Sequence, residues 1–462
     1  MPSTIHIHLS CAVIAAAATL AGCGALDRAA GVPTHYVSHQ MCSAVFVSGL
    51  DPEMFYREGV RPVIAPVGFL MDYRIDRDRK EVTAVFAGLV SSRAVFLGAE
   101  GCRIAHEGIA PAAMDDLSTT AKHAAKPLPV DPVNPALEAA LDREFAEPES
   151  GPHRWTKSVV ILHDGRIVAE RYAPGYGPET PQIGWSVTKS VTNALIGILV
   201  RQNKLAVDAP VPIAAWRDPK DPRHAITIDN LLRMNSGIKF GQSLYSDWLS
   251  AFDPSTQMEF DMADQAGFAE MAELGAAPGL RWNYTNGNTM LLARMIRDKA
   301  GGDAASVVRF ARRELFDKLG MENATLEFDS VGTPIGSSHM WASTRDWARF
   351  GQFYLNDGVV NGERILPEGW VDYSARLTPG SETCGYGAGF WTNRGTIGGA
   401  ARRIGLGMPP DSFMARGSQG QYIVIVPSAR LVVVRLGMAH DRYEDIDGVA
   451  RLVAEAIAAG AK

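Results

Sequence analysis

Apolar positions in the last two thirds of the chain follow two rhythms. Val187, Val191, Ala194, Leu195, Ile198 and Leu199 recur at the spacing of one buried helical face, which predicts a helix from Ser186 to Lys204. Ser158 to Leu162 and Ile167 to Arg171 are instead short, β-branched runs around His163-Asp164-Gly165-Arg166, a turn with the chemistry of a hairpin. A second hairpin is predicted where Gln421 to Val426 and Arg430 to Arg435 enclose Pro427-Ser428-Ala429. Helical patterns run near Asn134 to Glu147, Thr344 to Leu355 and Ile446 to Ala458. Strands at both ends with helices and loops between them imply an α/β (α+β) unit over residues 133–462, one antiparallel sheet flanked by helices with a helical insertion.

Upstream the pattern changes. Residues 35–108 contain β-leaning stretches, Met41 to Val47, Thr83 to Leu89 and Ala94 to Leu97, which predict a small β-rich accessory domain. Residues 109–132 are Ala- and Pro-rich and read as a linker, and 23–34 as a tether. Cys11 to Ala21 is an apolar run with the length of a signal-peptide core, too short to span a bilayer. It ends in Leu20-Ala21-Gly22-Cys23, which resembles the lipobox of bacterial lipoproteins. That resemblance implies a signal peptide over 1–22, lipidation of Cys23 and a membrane lipid anchor. Because Gly24 stands where an inner-membrane retention aspartate would stand, it also implies the periplasmic side of a Gram-negative outer membrane. Met1 to Ser10 carry His6 and His8 but no Lys or Arg, so an ordinary cleaved signal peptide is the alternative. Both readings export the protein.

Charge and cysteines narrow the classes. A net charge of -6 without a dense basic run excludes a nucleic-acid footprint. In an oxidising compartment Cys42 and Cys102 flank one segment, and a bridge between them would stabilise it by about 4 kcal/mol in the chain-entropy model, leaving Cys384 as a free thiol. The alternative is three buried cysteines used as small apolar residues. The histidines show no paired metal-ligand spacing, so no metal and no cofactor is expected. Nothing in the sequence sets an oligomeric state.

Candidate chemistry begins at Ser186-Val187-Thr188-Lys189, which puts a hydroxyl and an amine on one helical face. A lysine held in an apolar site loses proton affinity and can take the serine proton. Ser236-Gly237-Ile238-Lys239 has the same spacing, but its Gly237 suits a turn and no buried helix follows. Tyr284-Thr285-Asn286 lies in a turn-rich approach to a helix expected near Thr289; Tyr284 can relay protons and Asn286 can orient the lysine. The same pattern at Tyr354 and Asn356 falls in a helix, where packing and a helix end explain it. Arg416-Gly417-Ser418 leads into the Gln421 strand, with Gly417 permitting close backbone approach.

Ser186-x-x-Lys189, Tyr284-x-Asn286 and Gly417-Ser418, in this order, resemble the serine hydrolases related to class C β-lactamases, D-Ala-D-Ala carboxypeptidases, esterases and nylon-oligomer hydrolases. Leu231 to Gly237 and Ser343 to Gly351 resemble further segments of that family, and the likeness covers 133–462. It implies a β-lactamase/transpeptidase-like fold and an acyl-serine route to a small ester, amide or peptide-like substrate. Ser186 would be the nucleophile, Lys189 its base, Tyr284 the acid/base, Asn286 the lysine's holder, and the backbone N–H groups of Ser186 and Ser418 the oxyanion hole. The third motif departs from the family: Ala415-Arg416-Gly417 stands in place of Lys-Thr-Gly, which grips a substrate carboxylate in β-lactamases and carboxypeptidases. Those two activities therefore depend on Arg416 replacing the charge, and an esterase or amidase is the expectation. A penicillin-recognising or scaffold lipoprotein with little turnover is the alternative from another class. His339, Trp341, Tyr245 and Trp248 are candidates for lining the acyl pocket.

Overall fold

The architecture comes from a computed structural model, which describes residues 23–65, 67–109, 126–132, 134–150, 153–241, 252–440 and 444–460. The lipobox residues before Cys23, most of the expected linker, Tyr245 and Trp248 lie outside the described residues. No helix among those described is long and apolar enough to cross a membrane.

The first element is a 20-residue helix, α1 (Cys23–Cys42), followed by a single π-turn over Ser43–Val47. The expected tether over 23–34 is therefore helical, and the run from Met41 to Val47 is not a strand. A short apolar run does not by itself distinguish a strand from a buried helical turn; here the helical path ends before Gly49, which holds a positive φ of 71°. Next comes an antiparallel meander of β1 (Met71–Asp76), β2 (Glu81–Phe86), β3 (Val90–Phe96) and β4 (Cys102–Ile104). Its inner residues Val82, Ala84 and Ala94 pack on Tyr36, Val37 and Met41 of α1. A Cys42–Cys102 disulfide ties the end of α1 to β4, and Cys384 is free.

The larger sheet combines β5 (Thr156–His163), β6 (Arg166–Tyr172), β7 (Trp391–Thr392), β8 (Phe413–Gly417), β9 (Gln421–Val426) and β10 (Leu431–Gly437). Their spatial order is β7-β8-β9-β10-β5-β6, with every neighbour antiparallel. Strands from the two ends of the unit thus meet, with Val433 opposite Ile161. The β5–β6 turn carries Asp164 and Gly165 at positive φ, as a two-residue hairpin turn requires.

Both faces of this sheet are covered, which is why its strands are apolar runs rather than alternating patterns. On one face Val160, Leu162, Ile423, Ile425, Val432 and Val434 form a core with helices α3 (Thr188–Arg201) and α6 (Thr344–Leu355). Between these two in the chain lie α4 (Pro254–Asp261) and α5 (Asn286–Ala300). On the other face Val159, Ile161, Val424 and Val433 pack on α2 (Pro135–Phe145) and α7 (Ile446–Gly460).

At the edge of that second core sits a buried cation. Arg435 is fully buried and donates through Nε to Glu144 Oε1 at 3.1 Å, through Nη1 to the Gly420 carbonyl at 2.8 Å, and through Nη2 to the Arg154 carbonyl and Thr156 Oγ1, both at 2.9 Å. Residues of the expected accessory domain pack directly on the larger unit. Ile183, Trp185, Phe260, Trp341 and Met438 belong to the same apolar cluster as Tyr36, Val37, Phe55 and Met71.

Candidate active site

Ser186 occupies a 3-10 turn, Trp185–Val187, that feeds directly into α3, and Lys189 is the second residue of that helix. Trp185 holds φ at +46°, a conformation a bulky residue adopts only when its surroundings enforce it. Its ring stacks on Tyr36 at 6.4 Å, meets His339 edge-on at 5.7 Å, and donates Nε1–H to Gln419 Oε1 at 3.1 Å. Packing against α1 thus sets the angle at which the chain presents the serine hydroxyl.

Lys189 is 3% exposed, whereas Ser186 opens partly to solvent. The Lys189 Nζ lies 2.9 Å from Ser186 Oγ, 2.7 Å from Asn286 Oδ1 and 2.8 Å from the Ser337 carbonyl oxygen. A neutral amine has two N–H bonds and one lone pair. Here the N–H bonds reach Asn286 and Ser337, and the lone pair is left for the serine hydroxyl. Burial pulls the Lys189 amine down to about 7, against the opposing attraction of the Glu259 carboxylate.

Tyr284 completes the opposite wall. Its ring lies 5.0 Å from Lys189 Nζ, and its hydroxyl lies near the Ser186 side chain. Burial lifts the phenol above its ordinary range, while the nearby Ser186 hydroxyl and the Arg416 charge work against that shift. Tyr386 at 5.5 Å, Trp391 at 5.3 Å and Trp282 at 6.4 Å surround the ring. Asn286 is the first residue of α5, three positions earlier than the helix expected at Thr289, because Thr285 caps the helix by accepting from the Gly287 N–H.

The end of β8 closes the third side. A Cβ placed on Gly417 would lie 2.2 Å from the Gly184 carbonyl oxygen and 3.0 Å from the Ser186 nitrogen, so glycine is required for β8 to approach the serine turn. Ser418, partly exposed, follows at the strand edge.

Three of the expected residues occupy other places. Arg416 does not reach out as a substrate clamp: Nη2 bonds Glu444 Oε2 at 3.0 Å, and its guanidinium lies 5.6 Å from the Trp391 ring and 5.7 Å from that of Tyr422. His339 does not line a pocket; it is fully buried, with its ring parallel to that of His39 at 4.7 Å. Trp341 is core and donates to Glu327 Oε2 at 3.1 Å. In the second Ser-x-x-Lys match, Ser236 is buried on Asn288 at a turn while Lys239 is exposed. The second Tyr-x-Asn match is also structural, with the buried Tyr354 hydroxyl donating to Asn193 Oδ1 at 2.6 Å.

Sequence reading missed Glu259. It is 1% exposed on α4, accepting from Asn286 Nδ2 at 2.7 Å and from the Ser338 hydroxyl. The available signal was a lone carboxylate between Met258 and Phe260, both buried. His39, Glu327 and His339 also lie close enough together to be considered as a metal site. Stacked rings inclined by 1° keep their nitrogen lone pairs in separate parallel planes, which no single ion can share, and the His39 Nε2 already faces the Cys102 carbonyl at 3.0 Å. That geometry does not suit metal coordination.

The Beta-lactamase family model matches residues 143–457. The chain belongs to the beta-lactamase family. A 6-aminohexanoate-dimer hydrolase of Paenarthrobacter ureafaciens is 25% identical over 225 residues, covering 47% of this chain and 56% of that protein. The chain therefore matches little more than half the length of that relative. Among solved structures, a Bacillus anthracis protein provisionally named a 6-aminohexanoate-dimer hydrolase superposes with a TM-score of 0.58 at 22% identity, over 73% of this chain and 88% of the other. A family VIII carboxylesterase superposes with a TM-score of 0.54 at 15% identity, over 72% of this chain and 99% of the other. These two likenesses establish a shared fold. Within this beta-lactamase-family fold, the serine, lysine, tyrosine and asparagine lie together beside the end of β8.

Proposed function

We propose that the protein is a serine hydrolase that cleaves a small uncharged ester or amide through an acyl-serine intermediate. The observation that carries this reading is the Lys189 amine, buried and held by Asn286 and the Ser337 carbonyl with Ser186 Oγ 2.9 Å away. Lys189 takes the serine proton as Oγ attacks the substrate carbonyl. The resulting oxyanion is stabilised by the N–H groups of Ser186 and Ser418. Collapse of the tetrahedral adduct expels the alcohol or amine, which leaves with a proton supplied through Tyr284 and the Lys189 ammonium. Water, deprotonated by the same groups, then attacks the acyl-enzyme and releases the acid and free Ser186.

The ion pair between Arg416 and Glu444 favours an uncharged substrate, since a neutralised guanidinium attracts a carboxylate weakly. The Paenarthrobacter relative is named for a 6-aminohexanoate dimer and the structural neighbour for a carboxylic ester, and an acyl-serine route can cleave either an amide or an ester. We also propose, from the lipobox alone, that the enzyme works on the periplasmic side of an outer membrane, anchored through Cys23.

A fluorophosphonate probe tests the reaction class: one adduct on Ser186 is expected, and none on Ser186→Ala. Equal labelling of both proteins, or none of the wild type, rejects it. In parallel, p-nitrophenyl esters are expected to turn over at least tenfold faster than nitrocefin or a D-Ala-D-Ala peptide. Gly417→Ala should press β8 away from the serine turn and lower kcat by about 10² to 10³, the range for loss of one oxyanion donor. An unchanged kcat would remove β8 from the oxyanion hole.

A further inference from the structure

Two hydrogen-bond chains end on the same buried carboxylate. One begins at the catalytic amine: Lys189 Nζ donates to Asn286 Oδ1 at 2.7 Å, and Asn286 Nδ2 donates to Glu259 Oε2 at 2.7 Å. The other begins on α1. Gln40 Nε2 is a donor, so at 3.0 Å from His339 Nε2 it leaves the histidine proton on Nδ1. His339 Nδ1 faces Ser338 Oγ at 2.8 Å, and the Ser338 hydroxyl donates to Glu259 Oε1. Ser337, Ser338 and His339 are consecutive, and they touch Lys189, Glu259 and Gln40 in turn.

We propose that Glu259 is a positioning residue of this site, fixing the Asn286 amide with its oxygen toward Lys189 and linking that amide to helix α1 through Ser338, His339 and Gln40. This rests on the serine-hydrolase reading above. An unsupported asparagine amide could turn and present its N–H₂ to the amine, which would repel the ammonium and donate to the lone pair needed for Ser186. A carboxylate accepting from Nδ2 excludes that orientation. Its negative charge also favours the Lys189 ammonium, and so sets how readily the amine keeps the serine proton.

The groups facing Glu259 are Lys189 on α3, Tyr284 ahead of α5, His39 and Tyr36 on α1, and His339 with Glu327 behind it. Burial holds His339 well below its ordinary value, so it stays neutral across the working pH range. Burial raises Glu259, while Ser338, Lys189 and Asn286 lower it.

Glu259→Gln keeps the shape and removes the charge. With the carboxylate gone the Lys189 ammonium loses an attraction, its proton affinity falls, and the acid limb of kcat/KM moves to lower pH by about one unit, the low end for an opposite charge nearby. Thermal melting checks folding, and labelling of Ser186 checks the nucleophile. A folded Glu259→Gln protein with the wild-type acid limb overturns the proposal, whatever its melting temperature. Should it not fold, Glu259→Asp retains the charge but draws it back from Asn286; at least a tenfold fall in kcat with KM within twofold is expected, and unchanged kcat overturns the proposal. Absence of any Ser186 adduct on the wild type would instead reject the hydrolase reading itself.

Discussion

A Lys189→Met variant is expected to lose fluorophosphonate labelling of Ser186 and to hydrolyse p-nitrophenyl esters at least about 10³-fold more slowly than the wild type. Methionine fills the volume of the lysine stem but offers no lone pair basic enough to take the serine proton, and no other basic side chain bonds the Ser186 hydroxyl among the contacts described above. The wild type carries a second signature. Since the amine titrates near 7, kcat/KM should rise with pH through that value as the proton leaves Lys189. In Lys189→Met this limb should vanish, leaving a flat residual rate. Methionine also leaves Asn286 Oδ1 and the Ser337 carbonyl without their donor, costing about 1–3 kcal/mol of stability for each unsatisfied acceptor. A melting curve separates that loss from the catalytic one. Labelling at the wild-type rate in a folded variant would place the base elsewhere.

Arg435→Met should have the largest effect on stability, about 3–5 kcal/mol, read as a lower urea midpoint. The guanidinium is fully buried, and its removal strands Glu144, which burial already raises to about 7 despite the lowering effect of Arg435. It also strips donors from the Gly420 and Arg154 carbonyls. Methionine supplies packing but no compensating donor. Replacing Glu144 with Gln in the same protein should recover part of the loss, because the cost of burying that acid without its cation is then gone. An unfolding free energy within about 0.5 kcal/mol of the wild type would show that water or a neighbour reaches the site.

Much of the site was readable from local pattern. Ser186 and Lys189 are three residues apart with a helical apolar face behind them, Tyr284 and Asn286 two apart before another helix, and Gly417 precedes a strand. Such groupings declare themselves because the chain brings their members together without a long excursion. The two hairpins of the large sheet are legible for the same reason. Glu259 is not, since 27 residues separate it from Asn286 and nothing periodic connects them. His39 and His339 are further apart, 300 positions in the sequence and 4.7 Å in space.

Helix α1 was hidden by composition. It contains Gly31 and Pro33, and it buries Thr34, Ser38, His39 and Gln40 beside Val37 and Met41, so it has no clean polar face. An amphipathic stripe is the signal that sequence reading depends on. A helix enclosed on several sides, with its polar groups paired to distant partners such as Ser92, Cys102 and His339, gives none.

The apolar cluster that joins Tyr36 and Val37 to Trp341 and Met438 has a consequence for biosynthesis. A ribosome delivers the amino-terminal layer first, and more than three hundred further residues must emerge before the last of its apolar neighbours exists. Until then that layer carries a sticky, unfinished surface. That surface is completed only when the segment carrying Met438 is in place, and holdase chaperones have the interval before then in which to act.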